Sequence, residues 1–254
     1  MTAITLRTFS GIAPYADDSK LLETMATKSV NARFDSGSLE SWNGLTALDG
    51  VPSTTFSIYN DRGTWISSSF RRQYVGSLLA NDAHNRIFYT DSSFPKMRSG
   101  ASEYKLGLPR PGTPGVTVTT AGDTKTLALV RNQSYVVTLV DAWGLEGPSS
   151  YPTVTKVVGD GGVCTLDLTP CTVTGMYNLG SGATFRIYRT NNTSSGEAIY
   201  QYVADVPYGQ TSFADSVAPA DLQEELISSN WIAAPDNDIV LYPNGPLASL
   251  VSYP

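Results

Sequence analysis

The chain has 254 residues, of which 41% are hydrophobic and only 16% are charged, and its 26 aromatic residues argue against intrinsic disorder. Its net charge of −6 argues against a nucleic-acid grip built on clustered Lys and Arg. No run of 18 apolar residues is present, so no membrane span is expected, and the N-terminus lacks the apolar stretch typical of a secretory signal.

Residues 1–108 are predicted to form a first domain made mostly of strands. One short helix is expected to begin at Asp18 or Ser19, because apolar side chains recur on one helical face. That face comprises Leu22, Met25, Ala26, Ser29 and Val30. Strands separated by turn-forming residues are then predicted at 54–59, 64–70, 73–80 and 86–90.

Residues 109–217 are predicted to form a second domain, beginning in the linker-like sequence LPRPGTPG at 108–115. Eight short strand-like runs at regular spacing favour a β-sandwich of the immunoglobulin or fibronectin type III kind. The runs are 116–120, 125–130, 134–140, 153–158, 163–168, 184–190, 198–206 and 211–216. Alternation predicts the buried rows Tyr135, Val137 and Leu139, and Phe185 and Ile187.

Residues 218–254 are predicted to return to the first domain. A helical turn is expected at 221–227, followed by a loop and two short strands around the turn signal Pro243-Asn244-Gly245.

The two candidate centres of reactivity both have plain structural interpretations. His84, the only histidine, lies among Asp82 and Asn85 and is expected to be an exposed turn residue. Cys164 and Cys171 could pair across neighbouring strands, but two free, half-buried thiols are favoured in a reducing cytoplasm. Neither cysteine has a basic neighbour in sequence that would lower its pKa.

The other candidate motifs are weak. Asp236-Asn237-Asp238 lacks the remaining positions of a calcium loop, and the adjacent pairs Asp17-Asp18 and Glu224-Glu225 point in different directions. Arg71-Arg72 is too short for a nucleic-acid patch and favours a hairpin turn or an ion pair at an interface. Asn132, Asn191 and Asn192 head sequons that such a Ser/Thr-rich chain contains by chance. We therefore predict no catalytic, cofactor-binding or metal-binding residues and a non-enzymatic role.

Several segments, in this order, resemble a known family. They are GIAP at 11–14, LLETMA at 21–26, VN at 30–31, GSL at 37–39 with Trp42, VGSLLANDAHNRIFYTDSSFPKMR at 75–98, YKLGLPRP at 104–111, YVVTLVDAWGLEGPSS at 135–150, FRIYRTN at 185–191, YVADVPYGQTSFADSV at 202–217, and LYPNG at 241–245. Together with Trp65, Asp221-Leu222 and Trp231, they resemble tail nozzle, tail tubular or hub proteins of short-tailed bacteriophages.

The resemblance implies a propeller-like β platform that carries an inserted immunoglobulin- or fibronectin-like domain. It implies a non-enzymatic virion protein that is assembled in the host cytoplasm. The protein would form a homo-oligomeric ring, often of six copies, below the portal and its adaptor. The genome DNA would pass through the lumen during ejection without specific binding. The family usually continues beyond the equivalent of Pro254 through further propeller blades, so we expect the edges near 55–90 and 240–253 to pair with another polypeptide.

Two other classes of function remain open on the sequence alone. A host-attachment or decoration protein could present Tyr151, Tyr177 and Tyr208 in loops that bind a surface glycan, although local packing explains these residues too. A carbohydrate-active enzyme with an accessory fibronectin domain would need two well-placed carboxylates, and no distinctive pair is visible.

Overall fold

The computed structural model describes residues 10–33, 40–41, 50–91, 93–123, 130–192, 198–234, 239–244 and 247–252. Strands account for 42% of the chain, and the described residues include no α-helix, so the fold is mainly β as the sequence predicts. The chain divides into two compact units, residues 1–51 and 52–254. The domain boundaries expected near residues 108 and 217 stay predictions.

Short local pairings make up the described part of the first unit. β1 (Gly11–Ile12) pairs in parallel with β2 (Met25–Ala26). β3 (Ala32–Arg33) pairs antiparallel with β4 (Glu40–Ser41). Between β1 and β2 lies a single 3₁₀ turn, Asp18–Lys20.

The short helix predicted after Asp18 is wrong. Asp17, not Asp18 or Ser19, is the capping residue, and its Oδ1 accepts a hydrogen bond from the Ser19 N–H at 3.0 Å. The helix ends after one turn because a helix this short is marginal without tertiary support, and the following residues include poor helix formers such as Thr24. The Met25 backbone pairs instead with β1.

The second unit opens with a hairpin and a four-stranded antiparallel sheet. The hairpin consists of β5 (Ser57–Asp61) and β6 (Thr64–Ser68). The sheet has the order β10-β9-β8-β7 and is formed by β7 (Gln73–Gly76), β8 (Ile87–Thr90), β9 (Lys96–Ser99) and β10 (Ser102–Lys105). Strands β9 and β10 were missed by the sequence analysis, because their residues, KMRS and SEYK, are polar rather than alternating.

The type of turn between β5 and β6 determines which residue pairs of the hairpin exchange backbone hydrogen bonds. Arg62 and Gly63 have φ values of 51° and 93°, the signature of a type I′ turn. A glycine suits the second position because that backbone conformation strains any other residue. In such a hairpin the flanking pair, Asp61 and Thr64, exchanges hydrogen bonds, and the alternate pairs that follow do the same.

Two three-stranded sheets form the larger part of the second unit. One has the order β11-β15-β18, from β11 (Gly115–Thr120), β15 (Val163–Asp167) and β18 (Ser212–Asp215). The other has the order β13-β16-β17, from β13 (Tyr135–Val140), β16 (Thr184–Asn192) and β17 (Ala198–Pro207). A further two-stranded pair consists of β12 (Arg131–Gln133), which precedes β13, and β14 (Lys156–Val158), which precedes β15. The strand predicted at 125–130 falls almost wholly outside the described residues.

One hydrophobic core joins the two sheets. Cys164 and Leu166 of β15 pack with residues of the facing sheet, all fully buried. The facing residues are the predicted rows Tyr135, Val137, Leu139, Phe185 and Ile187. The prediction of these buried rows is confirmed, and both sheets contribute to this core; we call the two sheets together the sandwich.

The segment after the sandwich is extended rather than helical. A 3₁₀ turn occupies Pro219–Asp221, and the following residues then run beside β17. The Leu226 N–H donates to the Tyr200 carbonyl at 2.8 Å, and the Tyr202 N–H donates to the Glu224 carbonyl at 2.9 Å. The helical turn predicted over 221–227 is therefore wrong, because the exposed edge of β17 offers the backbone better partners.

The chain then forms a last hairpin, as predicted. β19 (Ile239–Asn244) pairs antiparallel with β20 (Leu247–Ser252), and β19 lies beside β7 and β8. No propeller or closed sheet is found among the described residues. A propeller needs several four-stranded blades, whereas the small sheets outside the sandwich supply strands for one blade and a few hairpins.

Candidate interaction surface

Asp82 organises the turn that contains the histidine. Its carboxylate accepts hydrogen bonds from the His84 N–H at 3.1 Å, the Arg86 N–H at 3.1 Å and the Arg86 Nε at 2.8 Å. The hydrogen bond from the Arg86 side chain is the main reason that the pKa of Asp82 lies well below its usual value. Asn81 and Asn85 adopt positive φ, as the turn prediction requires.

His84 is half-buried, not exposed as expected. Its ring stacks on Trp143 with a centroid separation of 5.0 Å, and Tyr104 meets Trp143 edge-on at 5.4 Å. The three rings belong to the turn after β7, to β10 and to the loop after β13. His84 therefore serves as a packing residue between the small sheet and the sandwich, a role that sequence neighbours do not reveal.

Cys164 and Cys171 are unbonded and fully buried. Burial raises the pKa of the Cys171 thiol to about 12 and also raises that of Cys164. Both residues belong to the sandwich core, Cys164 on β15 and Cys171 in the 3₁₀ turn Thr169–Cys171. Thiols in this state are poor nucleophiles, because only the thiolate attacks.

A buried polar network links the two sheets of the sandwich. Arg189 and Asp215 are almost inaccessible to solvent, and Arg189 Nη1 lies 2.5 Å from Asp215 Oδ2. Arg189 Nη2 donates to the Val217 carbonyl at 2.9 Å. The Tyr135 hydroxyl lies 2.8 Å from Asp215 Oδ2 and 2.9 Å from Gln133 Oε1. The charged groups of this network are bonded to partners within the chain, so the network stabilises the sandwich rather than offering a free acid or base.

Arg72 is held inside the small sheet, whereas Arg71 is exposed and has no interaction partner among the described residues. The Arg72 guanidinium lies 4.8 Å from the Tyr89 ring centroid, 3.7 Å from the Asp91 carboxylate and 3.9 Å from Glu103. Arg72 therefore interacts with an aromatic ring and two carboxylates of its own chain. These contacts explain Arg72 without a nucleic-acid patch.

One cavity lies between the small sheet and the sandwich and has a volume of about 680 Å³. Its walls are mostly apolar, and the acidic groups at its margin are already bonded. Asp141 accepts from the Trp143 and Leu145 N–H groups, each at 2.8 Å. Glu146 lies 2.8 Å from the Thr138 hydroxyl and 2.9 Å from the Tyr188 hydroxyl. These carboxylates are therefore held by the fold rather than directed at a ligand.

The tyrosines considered for glycan binding do not form one surface platform. Tyr208 is half-buried, packs on Phe185 at 5.0 Å and exchanges hydrogen bonds with the Val173 backbone. Tyr177 is also half-buried and packs against the sandwich core. Tyr151 alone is exposed, with the Arg110 guanidinium 4.9 Å from its ring centroid.

The remaining sequence candidates are scattered. Asn132 is exposed on β12, whereas the Asn191 amide donates to Gln201 Oε1 at 2.6 Å. The side chain of Asn192 and residues 236–238 lie outside what the structure describes. Glu224 and Glu225 are both exposed beside β17. Within the described ranges, no group of three or more His, Cys, Asp or Glu side chains could hold a metal ion, and no helix is long and apolar enough to cross a membrane.

The hairpin β5–β6 carries an exposed apolar surface. Ile58 and Trp65 lie on its outer face as diagonal neighbours across the two strands, since Ile58 pairs with Ser67 and Trp65 with Asn60. Phe56 and Phe70, at the open end of the hairpin, are both well exposed. We call these four apolar residues the hairpin patch. The resemblance predicts that edges near residues 55–90 pair with another polypeptide, but the patch itself was not predicted, although its signal in the sequence is the alternation of Phe56 and Ile58.

Comparison of the chain with protein-family models, with curated proteins and with solved structures found no match.

Proposed function

We propose that this chain is a non-enzymatic structural subunit of a bacteriophage tail, in the nozzle, the hub or the head–tail connector. It would contribute to a homo-oligomeric ring around the DNA exit channel and contact the portal adaptor and other tail proteins. The order of the short segments described above supports this assignment, and the sandwich corresponds to the immunoglobulin- or fibronectin-like insertion that the resemblance implies.

The hairpin patch is the observation that carries the proposal. Four large apolar side chains stand exposed on one hairpin, next to a strand whose outer edge has no partner strand among the described residues. Isolated domains rarely leave such a combination open, because it invites association through both apolar contact and backbone pairing. A subunit that docks against other chains would cover it.

Several carboxylates are bonded within the chain, which agrees with a docking role rather than a catalytic one. The carboxylates of Asp82, Asp141, Glu146 and Asp215 are each engaged by two or more partners within the chain. These four carboxylates are therefore held within the fold, whereas the apolar side chains of the hairpin patch are exposed. In this proposal the small sheet β7–β10 is one blade of a propeller-like platform, with the remaining strands supplied by other polypeptide.

Electron cryomicroscopy of purified virions in which this chain is identified by mass spectrometry tests the assignment. We expect its density in the axial tail, repeated by rotational symmetry around the channel. Density at the tail periphery, in contact with no channel, would favour the host-attachment alternative. Absence of the chain from mature particles would contradict a structural role in the tail.

A further inference from the structure

The cavity between the small sheet and the sandwich has the size and the lining of a small-molecule site. Its volume of about 680 Å³ falls within the usual range of about 300–1,000 Å³. One wall is a row of side chains across three strands of the small sheet, since Val75 pairs with Phe88 and Phe88 pairs with Met97. Leu108 of the sandwich core lines the cavity as well. An apolar molecule would therefore find an extended apolar surface here.

Arg86 brings a positive charge to the same wall. The Ser77 N–H donates to the Arg86 carbonyl at 2.9 Å, so the β7–β8 ladder extends to Arg86, which lies on the face of Phe88 about 7 Å along the strand. Only 9% of the Arg86 side chain is exposed. Its Nε donates to Asp82 Oδ2 at 2.8 Å, whereas Nη1 and Nη2 have no hydrogen-bond partner among the described residues. One edge of the guanidinium thus keeps two N–H groups for a ligand.

The carboxylates that line the cavity are already bonded within the chain. Asp141 Oδ1 accepts two backbone N–H groups, and Asn178 Nδ2 lies 3.4 Å from Asp141 Oδ2. Glu146 accepts from two hydroxyl groups and lies 3.3 Å from Arg186. Unused hydrogen-bonding capacity therefore lies with the donors of Arg86, so the polar group of a ligand should be an acceptor.

We propose that this cavity binds a fatty acid, that is, an alkyl chain that ends in a carboxylate. The two carboxylate oxygens accept hydrogen bonds from Arg86 Nη1 and Nη2, because a guanidinium edge matches a carboxylate in bidentate geometry. The alkyl chain packs on Val75, Phe88 and Met97, which removes its surface from water. Ile232 also lines the cavity and is 91% exposed, so it forms part of the rim that the chain passes.

This inference is independent of the proposed function. None of the four residues of the hairpin patch lines the cavity. Fatty-acid binding by a chain that is absent from the tail would contradict the proposed function alone. Location in the tail without fatty-acid binding would contradict the inference alone.

Isothermal titration calorimetry of the purified chain with decanoate, decan-1-ol and decylammonium gives the first test. The three probes share one alkyl chain and differ in the head group. We expect one decanoate per chain, bound about tenfold or more tighter than decan-1-ol, because a charge-assisted hydrogen bond adds to the same apolar burial. Decylammonium should bind most weakly, because Arg86 repels its charge.

Arg86→Lys tests the contact with the head group. Lysine keeps the positive charge beside Asp82 but does not offer two parallel N–H groups. We expect the affinity for decanoate to fall by about tenfold and that for decan-1-ol to change by less than about twofold. An equal loss for both probes would overturn the proposed contact.

Ile232→Asp tests the rim, with Ile227→Asp as the matched control. Ile227 is 73% exposed and does not line the cavity. An aspartate at position 232 removes an apolar contact and repels a carboxylate, so decanoate binding should weaken by about threefold or more. The control should bind decanoate as the natural chain does, and equal weakening in both variants would contradict this location of the site.

NMR of the chain labelled with ¹³C at its methionine methyl groups locates the ligand without a substitution in the site. Met97 is 3% exposed and lines the cavity, whereas Met176 is 48% exposed and does not. Decanoate should shift the Met97 methyl signal in a saturable manner and leave the Met176 signal in place. Met97→Leu, measured without decanoate, assigns the signal.

Three results would overturn the inference. They are the absence of decanoate binding up to about 1 mM, equal affinities for decanoate and decan-1-ol, and saturation of binding without a shift of the Met97 signal.

Discussion

At the scale of the residue, the surroundings of each side chain decide its chemistry more than its type does. His84 is stacked between elements, and burial raises the pKa of both cysteine thiols. Asp82 accepts three hydrogen bonds and so acts as a structural anion at a turn. In each case a residue with catalytic potential is used for packing or for turn geometry.

Asp82→Asn tests this structural use of a carboxylate. Because the hydrogen bond from Arg86 lowers the pKa of folded Asp82 below its ordinary value of 3.8, the carboxylate stabilises the fold above about pH 4 and loses that contribution as the pH falls further. We expect the variant to lose about 1–3 kcal/mol of unfolding free energy at neutral pH, and less at about pH 3. Urea denaturation at both pH values measures the difference.

Asp221→Asn is the control for this substitution, because Asp221 is exposed and its side chain makes no described ion pair. It should leave the stability unchanged within about 0.5 kcal/mol at neutral pH. If Asp82→Asn lost the same free energy at both pH values, the loss would come from altered packing and not from the charge of the carboxylate.

At the scale of the element, alternation of apolar residues predicted one face of β13 correctly and said nothing about the other. Tyr135, Val137 and Leu139 face the sandwich core, as predicted, but Val136 and Thr138 are buried too. The second face is covered by the segment that runs beside β17 and by the loop containing Glu146. Such coverage depends on where distant parts of the chain pack, which a local pattern does not contain.

Leu226→Ala tests how firmly the segment beside β17 is held. Leu226 is 7% exposed and packs with Val136 and Tyr188, so its truncation should cost about 2–4 kcal/mol of unfolding free energy. Its neighbour Ile227 is 73% exposed, and Ile227→Ala should cost less than about 0.5 kcal/mol. Thermal or urea unfolding compares the two. Equal losses would mean that the segment is not packed on β13 and β16 as described.

The candidate surface was only partly predictable from sequence. Turn residues and alternating patterns locate β5 and β6, whereas the prediction of edges near residues 55–90 came from the resemblance. They do not show that Trp65 lies outside while Tyr59 lies inside, where it stacks on Tyr74 at 5.2 Å. Which face of a two-stranded hairpin is buried depends on its neighbour, here the sheet containing β7.

At the scale of the whole molecule, the balance of charge determines how tightly the proposed channel subunit can bind DNA. The chain carries 17 basic and 23 acidic residues. Several of the basic ones are already used, since Arg72, Arg86, Arg186 and Arg189 form ion pairs within the chain. Ion pairing within the chain therefore reduces the number of cations that could neutralise phosphates, and phosphate neutralisation supplies nearly all non-specific affinity for DNA.

We therefore expect the purified chain to bind duplex DNA with a dissociation constant weaker than about 10⁻⁴ M at physiological salt. Fluorescence anisotropy of a labelled duplex measures this, with a basic DNA-binding protein as the positive control for the assay. Affinity tighter than about 10⁻⁶ M that falls steeply with salt would mean that Lys and Arg are clustered on one face despite the net charge. A subunit with that property would retain DNA at each phosphate contact, whereas a channel wall must release it as fast as it arrives.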